Sequence, residues 1–273
     1  RSVRKTQARP ARSEGSRPPR ASRCSFPPGA AEGRPRSGSG EYLYGLHPVA
    51  ECLRAGRRAV SSLYLAGRER LADLEWACGV RLEAPVRFVS RDECQRVCGA
   101  GSHQGVVALA GPYPYVGWED LLEPRQGGPA LLLALDGLTD PQNVGAILRT
   151  ALCAGASGVT LRKHHAALIT PAVVKASAGA SEHLSVALVP NQTQFLAAAG
   201  EAGFQRVALD MDGESLWEAP VDWRSGRVLV VGAEGRGVSR LVGETCDVKV
   251  RIPMSGAFDS LNASVAASLA LFE

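Results

Sequence analysis

At 273 residues with 45% apolar side chains, the chain can bury one or two sizeable cores, and its longest apolar runs, such as 130–135 and 228–231, are strand-length. They fall far short of the roughly 20 residues a bilayer-spanning helix needs, which excludes a transmembrane helix. The net charge of +4 hides a split: residues 1–40 hold nine Arg and one Lys against two Glu and leave 41–273 at −4, so a folded body that binds a polyanion must do so through local patches.

Residues 1–40 are rich in Arg, Ser, Pro and Gly, with Phe26 their single aromatic, and cannot bury enough apolar surface to fold. They read as a disordered basic tail. Their Arg-rich, acid-poor composition is that of a mitochondrial transit segment, or equally of a basic RNA-binding arm. Residues 41–112 mix helical spacing (Val49, Cys52, Leu53) with strand-like runs at 62–65, 86–89 and 106–109, which predicts a small α/β domain. It is near neutral overall, with Arg54, Arg57, Arg58, Arg68 and Arg70 close together as candidate RNA contacts. Cys94 and Cys98 share one helix face, and seven cysteines without C-x-x-C spacing argue for reduced thiols and against a metal site. Residues 113–128 read as a linker flanking a short helix.

From 129 to 273 strands and helices alternate. Strands are expected at 131–136, 158–161, 185–189, 206–209, 228–232 and 248–252, and helices at 143–154, 171–178, 192–202, near 238–242 and at 260–272. This rhythm predicts a mostly parallel sheet covered on both faces. Three loops, 136–143, 232–237 and 252–264, each follow a strand and precede a helix, which gathers them at the carboxyl edge of the sheet, where such folds bind ligands. The glycines of the second run G-x-x-G-x-G, the reverse of the dinucleotide fingerprint, and Glu234 within it would repel a pyrophosphate, so a nicotinamide enzyme is disfavoured. Taken singly, Asn143 is readable as a helix N-cap and Arg149 as a solvated helix residue. As a set, Asn143, Arg149, Glu234, Ser260 and Asn262 put polar groups at or near strand-to-helix junctions in an otherwise apolar stretch.

Residues 135–150, LDGLTDPQNVGAILRT, resemble the first signature of the SpoU methyltransferases; 230–238 resembles the second and 251–266 the third, in the same order. Residues 170–180 are similar to that family's lysine-serine-glycine-alanine helix, and 43–56 with 103–107 resemble its amino-terminal domain. The resemblance spans about 42–272 and implies a SPOUT α/β knot, a deep trefoil knot on a mostly parallel sheet, with a small L30e-like α/β domain in front. It further implies an S-adenosyl-L-methionine-dependent RNA 2'-O-ribose methyltransferase without a metal, acting as a homodimer. Cofactor contacts would fall on Gly232, Ile252 and Leu261, and Arg149 would be central, with Asn143, Glu234, Ser260 and Asn262 holding it and the substrate. Because a guanidinium stays protonated in proteins, Arg149 is expected to stabilise the developing oxyanion and clamp phosphate, not to act as base. Together with the tail, the resemblance points to a guanosine in mitochondrial large-subunit ribosomal RNA, in the mitochondrial matrix; the same reaction on transfer RNA and a non-catalytic RNA-binding assembly factor are the alternatives. His47 and His103, in the amino-terminal motifs, are read as structural loop residues. Ala263, where the family has valine, is a core change.

Overall fold

The computed structural model describes residues 40–124, 130–164, 166–222, 224–256 and 260–273. The transit-like reading of residues 1–39, the end of the linker and residues 257–259 of the third loop lie outside the described residues.

The first layer comprises β1 (Glu41–Tyr44), α1 (Leu46–Ala55), β2 (Val60–Leu65), α2 (Arg68–Cys78), β3 (Val86–Phe88), α3 (Arg91–Cys98) and β4 (Val106–Ala110), in a sheet ordered β1-β4-β2-β3. Period-2 alternation points Leu43, Leu63, Leu65 and Ala108 inward, where they are fully buried with Val49 of α1. Each of these helices stops at a left-handed glycine, Gly56, Gly79 and Gly99, whose amide bonds back to the last turn.

After a short helix α4 (Glu119–Leu122) comes the larger layer: β5 (Leu131–Asp136), α5 (Pro141–Cys153), β6 (Gly158–Arg162), α6 (Pro171–Ala176), a 3-10 turn (Ala180–His183), β7 (Val186–Val189), α7 (Gln192–Glu201), β8 (Gln205–Ser215), β9 (Arg227–Gly232), α8 (Arg240–Thr245), β10 (Val248–Arg251) and α9 (Ala263–Leu271). Its sheet runs β10-β8-β9-β5-β6-β7 with every neighbouring pair parallel. The carboxyl ends of β5 and β9 therefore lie side by side, with Asp136 opposite Gly232.

Four of the boundaries that differ from expectation have an identifiable cause, three local and one through a distant strand. Helix α5 starts at Pro141 because the Asp140 side chain accepts from the amides of Gln142 and Asn143. Asn143 is thus not the cap, and its side chain is free for other work. Helix α6 ends at Ala176 because Ala178 (φ 53°) and Gly179 (φ 88°) turn left-handed. Strand β8 runs on to Ser215 because β10 pairs with its far end across a bulge. Helix α9 starts at Ala263, capped by the Asn262 side chain.

The two sheets belong to one compact unit, and the arginines expected to contact RNA help to join them. Arg58 is fully buried at its side chain: Nη1 donates to Glu41 Oε2 at 2.9 Å and Nε lies 3.1 Å from Glu182 Oε2 in the 3-10 turn. That second contact is close but poorly aligned, leaving the Glu182 oxygens without a directed hydrogen bond. Arg57 donates to the carbonyls of Leu184 (2.5 Å), Glu182 (3.4 Å) and Pro114 (3.4 Å), and the Tyr113 hydroxyl bonds the Ser181 carbonyl at 2.7 Å. Arg54 is taken up by Glu51 and the carbonyls of Ala77 and Cys78, and Arg70 by Asp73. Arg57 and Arg58 are mortar between the layers, which corrects their reading as an RNA patch, while Arg54 stays half exposed as it ties α1 to the end of α2.

Candidate active site

The turn after β5 passes through Gly137 (φ 75°) to the Asp140 cap and sets Asn143 in the first turn of α5, buried and aimed across the carboxyl edge. Asn143 Nδ2 donates to Glu234 Oε2 at 3.4 Å, and Asn143 Oδ1 accepts from Asn262 Nδ2 at 2.9 Å. Asn262 Oδ1 meanwhile accepts from the Ser264 amide at 2.9 Å, so one side chain caps α9 and closes the relay. Asparagine suits both places because it donates from one end and accepts at the other. Glu234, Asn143 and Asn262, one from each loop, thus form a single polar chain. Asp136, buried at the end of β5, accepts from the Ser239 amide at 2.8 Å and from Arg162 Nη1 at 3.3 Å.

Beside this relay opens a cleft of about 1020 Å³, counting the solvent at its mouth. Gly232, Glu234, Ile252, Ser260 and Leu261 line it, as do Leu209, Asp210, Met211 and Ala266. Gly232 is there for lack of a side chain: a Cβ would lie 2.0 Å from the Gly237 carbonyl carbon. Gly235 (φ 74°) and Gly237 (φ 64°) then fold the loop back in conformations that favour glycine. Of the residues singled out in the sequence, Gly232, Glu234, Ile252, Ser260 and Leu261 meet at the cleft, and Asn143 and Asn262 sit behind it.

Arg149 does not join them within one chain. It is exposed on α5, with no hydrogen-bond or ion-pair partner among the described residues, and the next residue, Thr150, has its hydroxyl 3.1 Å from that of Ser268 on α9. Sequence reasoning missed Asp210 and Met211, because the polar run after Leu209 reads as the end of a strand and only the long-range pairing with β10 carries β8 past the cleft. His103 is buried and accepts from the Gly105 amide at Nδ1 (3.0 Å), the loop role expected of it; His47 is exposed in the first turn of α1. No described helix is long and apolar enough to cross a membrane, and among the described residues no group of three or more His, Cys, Asp or Glu is placed to hold a metal ion.

Residues 130–272 match the SpoU rRNA Methylase family, and residues 42–116 match the RNA 2'-O ribose methyltransferase substrate-binding domain. The chain belongs to the SpoU family of RNA methyltransferases. It is 39% identical over 237 residues to an uncharacterized tRNA/rRNA methyltransferase of Mycolicibacterium vanbaalenii, covering 85% of this chain and 75% of the relative. A similarly described protein of Mycolicibacterium paratuberculosis is 38% identical over 260 residues, covering 93% and 82%. Among solved structures, the SpoU methyltransferase AviRb of Streptomyces viridochromogenes, in complex with AdoMet, superposes with a TM-score of 0.70 at 27% identity over 85% of this chain and 88% of that one. An AdoMet-bound rRNA methyltransferase of Sinorhizobium meliloti gives 0.69 at 27% identity, with 85% of each chain covered. The SPOUT fold expected from the signatures is therefore the fold of this SpoU chain.

Proposed function

We propose that this SpoU chain transfers a methyl group from S-adenosyl-L-methionine to the ribose 2'-hydroxyl of a guanosine in mitochondrial large-subunit ribosomal RNA. The observation that carries the reading is the Glu234–Asn143–Asn262 relay set against an apolar, glycine-walled cleft. The cleft suits the cofactor: Leu209, Ile252, Leu261 and Ala266 offer aliphatic faces for an adenine, the bare backbone around Gly232 can meet its edge atoms, and the Asp210 carboxylate suits hydroxyls or a cationic group. Two structural neighbours carry AdoMet, which supports the same ligand here. Once bound, it supplies a methyl already activated as a sulfonium, so the protein has chiefly to align a nucleophile and ease its proton away.

Glu234 and Ser260 face the cleft and can accept from or donate to an incoming ribose. Asn143 and Asn262 fix the carboxylate of Glu234 and the loop of Ser260 relative to one another, which is a positioning role. Arg149 supplies the positive charge for the oxyanion and the adjacent phosphate. Its place outside the cleft of its own chain is consistent with a homodimer. The outer face of α9, next to Arg149, exposes Val265 (47%), Leu269 (46%) and Phe272 (67%) beside Trp217 (56%), an apolar strip that a second copy would cover.

The mitochondrial and ribosomal parts of the proposal rest on the composition of residues 1–40 and on the family resemblance. A transfer RNA substrate is the competing reading, since relatives are described as tRNA/rRNA methyltransferases. Labelled S-adenosyl-L-methionine offered with each RNA separates the two: a single alkali-resistant ribose linkage at a guanosine of large-subunit RNA, lost in Arg149→Ala, is the expected result. Methyl transfer to transfer RNA alone would refute the ribosomal assignment. Cofactor binding without transfer to either RNA or to assembling subunits would favour a non-catalytic assembly factor.

A further inference from the structure

The His103-Gln104-Gly105 loop leads into β4 and lines no part of the cleft, yet Gln104 is held left-handed, at φ 57°, a conformation uncommon outside glycine. Its amide oxygen takes two bonds, from the Leu46 amide at 3.2 Å and from Lys175 Nζ of α6 at 3.1 Å. Gly45 (φ 101°) clears the way for the lysine, since a Cβ there would lie 2.5 Å from Nζ. The amino-terminal layer thus steadies an ammonium of the catalytic layer with a neutral oxygen.

Among the described residues no carboxylate pairs with Lys175, and partial burial draws its pKa below the ordinary lysine value. A second cation stands on α3, which packs against β1 and against β4, the strand this loop leads into. Arg91, exposed at the start of α3, has no ion-pair partner among the described residues, and after burial it is Arg91 and then Lys175 that disfavour protonation of His103. Burial and these two cations together hold the His103 pKa below its ordinary value.

The position of α6 gives those charges meaning. It packs against β1 on one side and α5 on the other, where Ala176 comes so near Gly145 that a Cβ on that glycine would lie 2.4 Å from the alanine methyl. Lys175 therefore stands one residue from contact with the helix that carries Asn143. An ammonium bonded to one amide oxygen keeps two N–H donors, which suit a phosphodiester. The structural cations at this junction spend their donors inside the protein, Arg58 on Glu41 and beside Glu182, Arg57 on three backbone carbonyls.

We propose that Lys175 and Arg91, with Gln104 holding Lys175 in place, form a phosphate-binding seam that grips the RNA backbone between the amino-terminal layer and the methyl-transfer cleft. The proposal rests on the RNA substrate proposed above. It is tested by filter binding of the full chain to a hairpin transcript of large-subunit ribosomal RNA across a salt series. Lys175→Gln and Arg91→Gln should each lower the slope of log affinity against log salt by about 1, with melting temperature and cofactor affinity as in the parent chain. Gln104→Gly relieves the left-handed strain but releases the lysine, so RNA affinity should fall while the melting temperature does not, an outcome a merely structural loop would not produce. Unchanged slopes in both charge variants would overturn the seam even where methyl transfer proceeds. Reduced slopes in a chain that binds RNA but methylates none would leave the seam standing and sink the proposed reaction. A parent chain that does not bind the hairpin would overturn both.

Discussion

Replacing Arg58 by Met tests whether the amino-terminal arginines are mortar or RNA contacts. The substitution keeps most of the volume and strips Glu182, 1% exposed, of the guanidinium that does most to lower its pKa. Removing one partner of a buried pair costs about 3–5 kcal/mol. For a chain of this size that corresponds to a melting temperature lower by roughly 6–20 °C. The loss should depend on pH with a definite sign. Burial already raises the Glu182 pKa above its ordinary 4.5, against the pull of Arg58 first and then Arg57, and loss of Arg58 raises it further. A carboxylate with a raised pKa in the folded state favours folding below its ordinary value and loses that contribution as pH climbs through the raised one. The variant should therefore be most impaired at pH 8 and recover as pH falls toward 5. Thermal melts of Arg58→Met at both pH values provide the measurement, with Arg58→Met/Glu182→Leu expected to regain most of the stability because no buried charge is stranded. A variant that melts with the parent at pH 8 yet binds RNA with a flatter salt dependence would refute the assignment and restore the arginines to the RNA surface.

Gly232→Ala should reduce S-adenosyl-L-methionine affinity at least about tenfold by calorimetry, because its Cβ would sit 2.0 Å from the Gly237 carbonyl carbon and force the cleft loop to move. Asn143→Ala breaks the relay at its middle, removing a partner from both Glu234 and Asn262; at about 1–3 kcal/mol for groups left unsatisfied, kcat should fall about 10–100-fold with cofactor affinity nearly unchanged. A fall confined to cofactor affinity would count against the positioning role. Leu269→Glu places a charge in the exposed strip on α9 and should convert a sedimenting dimer to monomer, with methyl transfer lost alongside; a parent chain already monomeric at assay concentration would remove the dimer from the proposal.

The parallel strands were legible because a strand buried on both faces must be apolar throughout, and runs such as Leu131–Asp136 and Arg227–Gly232 carry that mark within a few residues. The cleft residues were legible through three loops whose order and spacing match a family, and the sheet's parallel order then brings those loops together. What escaped was whatever depended on a partner far away in sequence. Nothing in Asp210-Met-Asp-Gly-Glu-Ser215 reads as a strand until β10 lies beside it, with Gly213 so near Lys249 that a Cβ there would fall 2.5 Å from its backbone.

Charge was the least legible property. Arg57 and Arg58 lie amid an arginine-rich stretch and look like a surface for RNA, yet the groups that absorb them, the carbonyl of Leu184 and the carboxylate of Glu182, stand more than a hundred residues later. Lys175 is a single charge in an otherwise apolar helix, where the sequence pattern marks only the buried face, yet it pairs with no acid among the described residues. A cation free to meet a polyanion is identified by the absence of a nearby acid in space, not by the density of cations along the chain. By that criterion the seam at Gln104 is a stronger candidate for the RNA backbone than Arg57 and Arg58, which composition favoured.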